Sequence, residues 1–183
     1  MPKIKSAFIG LTVILSLCLA TVGNASKAPA AKFTSAYTDL NKDCKDAFKE
    51  VGEGQDMPLR CKGYGGYYLY IYYSAWASHI NAQMRGNDDV TISLAMQELG
   101  YSDAKGRKVE WRMADGKPFA VILRVSHYKE STDGNSPFDE KLKTGESLVV
   151  KGLKGYEHID GSVDAKTPDA NVKARQLADS QYK

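Results

Sequence analysis

The chain has 183 residues, of which 43% are hydrophobic and 26% charged, with a formal net charge of +3. That composition excludes a disordered chain, a collagen-like chain and a multi-span membrane protein. What remains is a globular domain of ordinary size, able to bury a core without a metal or a dense set of disulfides.

Residues 1–25 read as an export signal: basic at Lys3 and Lys5, apolar from Ala7 to Ala20, and small at Gly23, Asn24 and Ala25. Cleavage is expected after Ala25, with Ala20 as the alternative. The apolar run falls short of the roughly 20 residues a membrane span needs, and Thr12 and Ser16 interrupt it, so no stable membrane insertion is expected. Leu17 occupies the place before Cys18 where a lipoprotein signal wants a small residue. Removing the signal leaves 23 basic against 22 acidic side chains. The longest basic cluster is then Lys105, Arg107 and Lys108, and no nucleic acid is expected as a partner.

Cys44 and Cys61 are the cysteines left after cleavage, and in an exported chain they are expected to form a disulfide. Closing a loop of that size is worth about 3 kcal/mol on chain-entropy grounds. A redox pair wants Cys-x-x-Cys spacing, and two cysteines alone do not make a zinc site.

In chain order, residues 26–36 read as a flexible tail and residues 37–183 as one domain. Leu40, Cys44, Ala47 and Phe48 have helical spacing weakened by Asn41 and Asp43, so residues 37–48 are expected to be a short helix or irregular. A loop through Gly52 and Gly54 leads to a strand at residues 59–62. Gly63, Gly65 and Gly66 then supply a turn into the clearest strand of the chain, residues 67–73, rich in aromatic and β-branched side chains. Alternation puts Tyr67, Leu69, Ile71 and Tyr73 on one face and Tyr68, Tyr70 and Tyr72 on the other. The plainer reading packs these second-face rings against neighbouring elements. The functional reading leaves them open, as an aromatic ladder that grips a sugar or a partner protein.

Residues 75–84 carry a helical face at Trp76, Ile80 and Met84 but also suit a strand. Asn87, Asp88 and Asp89 read as a turn that caps a helix over residues 90–99, ended by Gly100. A hairpin follows: Val109, Trp111 and Met113 alternate with Glu110 and Arg112, Asp115-Gly116 turns, and Phe119, Val121, Leu123 and Val125 alternate on the return. Residues 131–145 read as a polar connection, residues 146–153 as a strand, and residues 156–163 as a further one. Thr167 as N-cap and Pro168 as first helical residue open a C-terminal helix, with Ala170, Ala174, Leu177 and Gln181 on its packing stripe.

Chemistry-bearing motifs are missing from this pattern. There is no Gly-x-Ser-x-Gly elbow, phosphate-loop lysine or His-Glu-x-x-His. His158 with Asp160 and Asp164 matches no metal signature, and His79 and His127 stand in no motif. Glu53 with Asp56, and Asp88 with Asp89, are carboxylate pairs in turn-rich stretches, where such pairs are ordinary. The glycines from Gly63 to Gly66 precede a strand, whereas a phosphate loop follows one. Neither a cofactor nor a metal is expected.

Several strings are distinctive together: Tyr37-Thr38-Asp39-Leu40 with Cys44; Cys61-Lys62-Gly63-Tyr64-Gly65-Gly66-Tyr67; Val109-Glu110-Trp111-Arg112 with Asp115-Gly116-Lys117-Pro118-Phe119-Ala120; and Gly161-Ser162-Val163-Asp164-Ala165 with Pro168-Asp169-Ala170-Asn171. In these the chain resembles a group of small exported proteins of Gram-negative bacteria known mainly as hypothetical proteins. The resemblance implies a periplasmic or secreted bacterial protein and carries over no catalytic or binding residue. Related chains can carry another cysteine before His158; Glu157 stands there here, so no second bridge is implied.

The expected fold is α+β: one antiparallel sheet holding residues 67–73, the hairpin and residues 148–150, with a C-terminal helix packed against it and one disulfide. The expected function is non-enzymatic binding or protein interaction in the periplasm or outside the cell, with an envelope or extracellular protein or glycan as partner. Tyr68, Tyr70, Tyr72 and Trp76 are the candidate binding residues. The alternatives are an inhibitor of an external enzyme such as lysozyme, and a hydrolase with an unfamiliar site.

Overall fold

The structure is a computed structural model, and it describes residues 30–48, 58–73, 78–94, 107–129 and 140–183. Side chains alternating with period two dominate these segments, and they pair into two antiparallel five-stranded sheets. The first sheet has the order β1 (Phe33–Asp39), β7 (Lys108–Ala114), β8 (Lys117–Tyr128), β9 (Lys143–Gly152), β10 (Asp160–Asp164). The second runs β2 (Cys44–Asp46), β3 (Leu59–Lys62), β4 (Tyr67–Tyr73), β5 (Ser78–Met84), β6 (Asn87–Ser93). A 3-10 turn at Glu140–Leu142 leads into β9, and helix α1 (Ala170–Gln181) ends the chain.

The sheets share one core. Val109, Trp111, Val121, Leu123, Val125 and Val149 of the first meet Tyr67, Leu69, Ile71, Ile80 and Ala82 of the second. Each such side chain taken from water contributes about 1.5–3 kcal/mol, which fixes which face of each strand turns inward. Trp111, fully buried, donates its Nε1–H to Thr38 Oγ1 at 2.9 Å, and Thr38 donates on to the Lys62 carbonyl at 2.7 Å. A buried indole N–H is thereby satisfied by a chain of bonds that ties β7 and β1 of one sheet to β3 of the other.

A second apolar layer covers the opposite face of the first sheet. Ala170, Ala174 and Ala178 of α1 lie on Phe119, Ala120, Ile122, Leu148 and Val150. Small helix residues permit close approach, and Gly161 completes it, since a Cβ there would stand 3.1 Å from Leu177 Cδ1. A bidentate pair, Arg112 with Asp179, and a second pair, Arg175 with Glu110, fasten the helix to β7.

The distinctive sequence strings meet in space. Tyr64 and Tyr67 flank Trp111, with ring centroids 5.8 and 6.3 Å away. Gly65, at φ 60°, lies where a Cβ would stand 2.4 Å from Pro118 Cγ, so the turn rests on the mouth of the β7–β8 hairpin. That hairpin turns at Asp115 and Gly116, both with positive φ, as its sequence demands.

The α+β class, the helix packed on an antiparallel sheet, and the Cys44–Cys61 disulfide agree with the sequence reading. Several details differ, among them the strand expected over residues 156–163, which begins only at Asp160 because the chain turns before it. The strands expected in one sheet belong to two, because β4 pairs with β3 and β5 and not with the hairpin. Residues 37–48 are not helical: β1 begins at Phe33, inside the segment read as tail, and continues to Asp39, and β2 follows a turn capped by Asp43 Oδ2 on the Asp39 amide at 2.7 Å. Asn87, Asp88 and Asp89 open a strand, because the turn falls two residues earlier at Arg85-Gly86, where Gly86 takes φ 71°. The helix expected over residues 90–99 is therefore strand as far as Ser93, and residues 95–99 lie outside the described residues. Helix α1 starts at Ala170, because Thr167 is held in a turn by its amide bond to the Asp164 carbonyl at 3.0 Å, leaving Asp169 at the cap with φ 56° and no side-chain cap bond. The N-terminal export segment lies outside the described residues. Among the described residues, no helix is long and apolar enough to cross a membrane.

Candidate functional site

Strand β4 divides the second sheet into a committed face and an open one. Tyr67, Leu69 and Ile71 are buried in the core, while Tyr68, Tyr70 and Tyr72 are half-buried on the outer face. The register fills out that face from neighbouring strands. One row runs Lys45, Arg60, Tyr70, Asn81, Ser93, and beside it Lys62, Tyr68 and Gln83 align, followed by Tyr72 with His79.

The three rings pack on one another. Tyr70 and Tyr72 stack at 6.1 Å with an interplanar angle of 23°, and Tyr68 meets Tyr70 edge-on at 6.4 Å. Gln83 Nε2 donates to the Tyr72 hydroxyl at 3.1 Å. Two guanidinium groups lie over Tyr68: Arg60 from β3, with Cζ 5.0 Å from the ring centroid, and Arg85 from the turn after β5, at 4.7 Å. Lys62 lies over Tyr64 in the same way, at 5.6 Å. Ring quadrupoles attract these cations without neutralising them.

No ion pair joins Lys45, Arg60, Lys62 or Arg85 to a carboxylate among the described residues. Next to Tyr68 the surface dips into an open concavity of about 430 Å³ walled by Lys42, Asp43, Lys45, Arg60 and Lys62, with the disulfide on its side. Asp43 is already engaged, capping the Asp39 amide.

A second basic concavity, about 400 Å³, lies where α1 leaves the first sheet uncovered, between Tyr37, Arg107, Lys108, Arg124 and Arg175. Three of its cations are paired within the fold, Arg107 among them, 3.5 Å from Glu146. Arg175 binds Glu110 at 2.6 Å and Arg124 binds Glu146 at 3.0 Å. The Glu110 bond holds the Arg175 guanidinium above its ordinary range. Burial pushes the Glu146 carboxyl up, but hydrogen bonds from Arg124 and Lys143 outweigh it and hold the group below the usual carboxylate range. This is the chemistry of a fastened interface.

The candidate binding residues Tyr68, Tyr70 and Tyr72 come together as the alternation predicted, and Trp76 lies outside the described residues. Among the histidines, His127 Nε2 bonds Ser147 Oγ at 2.8 Å, and His158 Nε2 donates to the Gln181 carbonyl at 2.9 Å, closing the end of α1 onto the loop before β10. The pair Glu53 and Asp56, and the side chains of Asp88 and Asp89, lie outside what the structure describes. Sequence reasoning missed Lys45, Arg60, Lys62 and Arg85 as members of the tyrosine face. For Arg60 and Lys62 the signal was present, since Leu59 and Cys61 claim the inner face of a period-two strand; for Arg85 it required the correct turn. Comparison with family models, curated proteins and solved structures finds no match for this chain.

Proposed function

We propose that this chain is a non-enzymatic exported binding protein that takes an envelope or extracellular protein or glycan on the outer face of its second sheet. One observation carries the reading: Tyr68, Tyr70 and Tyr72 stand in register and half-exposed, on the face opposite one fully committed to the core. Tyrosine gives rigid contact area with a polar tip at low entropic cost, which is why it recurs in binding surfaces. The disulfide suits an oxidising compartment, and the export-like first 25 residues and the resemblance to exported Gram-negative proteins support the same location.

The test is retention of partners from envelope and culture-medium extracts by the immobilised protein and by a Tyr68→Ser/Tyr70→Ser/Tyr72→Ser variant, with circular dichroism to check the fold. A protein or glycan held by the parent and lost from the folded variant supports the reading. Equal retention by both rejects it.

A further inference from the structure

We infer that the ligand of the tyrosine face is an acidic polysaccharide, whose carboxylate- or phosphate-bearing sugar units seat between Arg60, Arg85 and Lys62 beside Tyr68. This rests on the reading of the outer face as a binding surface and adds the chemistry of what it binds.

Charge segregation is the first argument. The whole chain is nearly balanced, at 25 basic against 22 acidic residues, yet the described carboxylates that form ion pairs do so away from the tyrosine face. Glu110, Glu146, Asp160 and Asp179 are each paired with cations of the first sheet or of α1. Around Tyr68, by contrast, two guanidinium groups share one ring with no ion pair to a carboxylate among the described residues, and Asp43, on the wall of the adjoining concavity, is engaged with the Asp39 amide. Like charges gathered this way are relieved by an anion, and the planar guanidinium fork matches a carboxylate or phosphate with two parallel hydrogen bonds.

The second argument separates a sugar chain from other polyanions. A single-stranded nucleic acid needs open ring faces on which bases stack. Here those faces are spent within the ladder, Tyr70 on Tyr72 and Tyr68 under guanidinium groups. What the surface offers instead is hydroxyls and the amides of Asn81 and Gln83, which align with Tyr70 and Tyr68 across the strands. Such groups both donate and accept, as a hydroxyl-rich ligand requires. An acidic peptide would gain most by adding a strand at a sheet edge, but this is the face of a sheet, with β4 paired on both sides. The concavity of about 430 Å³ beside Tyr68 lies within the range of small-ligand sites and accommodates a charged sugar unit as an anchor.

The experiment titrates the purified protein with polygalacturonate, a phosphomannan, neutral dextran, an oligothymidylate and polyglutamate, using interferometry at low and physiological salt. Binding of polygalacturonate or phosphomannan at least about tenfold tighter than every other probe is expected, because charge-assisted bonds and hydroxyl contacts act together. An Arg60→Gln/Arg85→Gln variant, folded by circular dichroism, is expected to lose about tenfold or more, and Arg60→Lys/Arg85→Lys to recover part of it, since charge is kept and the fork is lost. Equal binding of oligothymidylate or polyglutamate, tighter binding of dextran, no binding of either acidic glycan, or indifference to Arg60→Gln/Arg85→Gln overturns the inference. If the tyrosine-dependent retention described above persists while both acidic glycans fail, only the ligand class is wrong. If the retention is also indifferent to the tyrosines, the binding face itself is wrong.

Discussion

Arg112 and Asp179 meet through two parallel hydrogen bonds, Nε to Oδ1 at 3.0 Å and Nη2 to Oδ2 at 2.6 Å, joining the middle of β7 to the last turn of α1. The Arg112 side chain is nearly buried and Asp179 is about a quarter exposed. Removing the carboxylate leaves a guanidinium facing the helix with Ser35 Oγ at 2.6 Å and the Glu110 carboxylate at 4.0 Å as its remaining partners. Asp179→Ala is expected to cost about 2–3 kcal/mol, below the range for fully buried pairs because water reaches one partner. Urea denaturation checks this, and a loss under about 0.5 kcal/mol would mark the pair as an ordinary surface contact.

Gly152 ends β9 against the turn before β10. Its amide donates to the Ile159 carbonyl at 2.7 Å, and a Cβ placed on it would stand 1.7 Å from the Tyr156 carbonyl oxygen. Backbone must move to admit any side chain, so Gly152→Ala is expected to destabilise by about 3 kcal/mol or more. Gly145 in the same strand meets nothing within 4 Å, and Gly145→Ala is expected to stay within about 0.5 kcal/mol of the parent. Thermal melts of both variants give the comparison.

Glu146 supplies a pH dependence with a defined sign. Its carboxyl is pushed up by burial but held lower overall in the fold by Arg124, Lys143 and Arg107. Its contribution is therefore fully present above the carboxyl's unfolded pKa and is lost as pH falls through that value toward the folded one. The side chain is about a quarter exposed, so the contribution is about 1 kcal/mol or less. Stability measured across the acidic range should fall less steeply in Glu146→Gln than in the parent. An unchanged slope would show that the cluster does not titrate with folding.

The Cys44–Cys61 disulfide joins directly paired residues of β2 and β3 across a separation of 17 residues. A Cys44→Ala/Cys61→Ala variant is expected to lose about 3 kcal/mol by release of the unfolded chain. Hydrogen exchange should place the added opening at β2 and β3, leaving β7 and β8 protected. Uniform loss across both sheets would assign the bond a global role.

The sequence made legible what depends on neighbours in the chain. Tyr67, Leu69 and Ile71 against Tyr68, Tyr70 and Tyr72, the Asp115-Gly116 turn, and the alanine stripe of α1 are local patterns with one physical reading. Strand pairing was less legible, because the partner of β4 is decided by which inner faces fit together, and alternation alone does not distinguish one sheet from two. The misread helix from Val90 onward has the same origin: Leu94, Ala95, Glu98 and Leu99 satisfy a helical spacing, yet the glycine turn at Gly86 lets β6 fold back on β5. The basic rim of the tyrosine face was hidden for the same reason, since Lys45, Arg60 and Arg85 are far apart in sequence and become neighbours only through register.

Oxidative footprinting tests the binding face most directly. The protein is exposed to hydroxyl radicals with and without a partner retained from envelope extract, and tyrosine modification is read by mass spectrometry. The account predicts protection of Tyr68, Tyr70 and Tyr72, with Tyr156 and Tyr182, which stack together beside Phe119 at the other layer, unchanged. Protection at Tyr156 and Tyr182 with none on the ladder would contradict it.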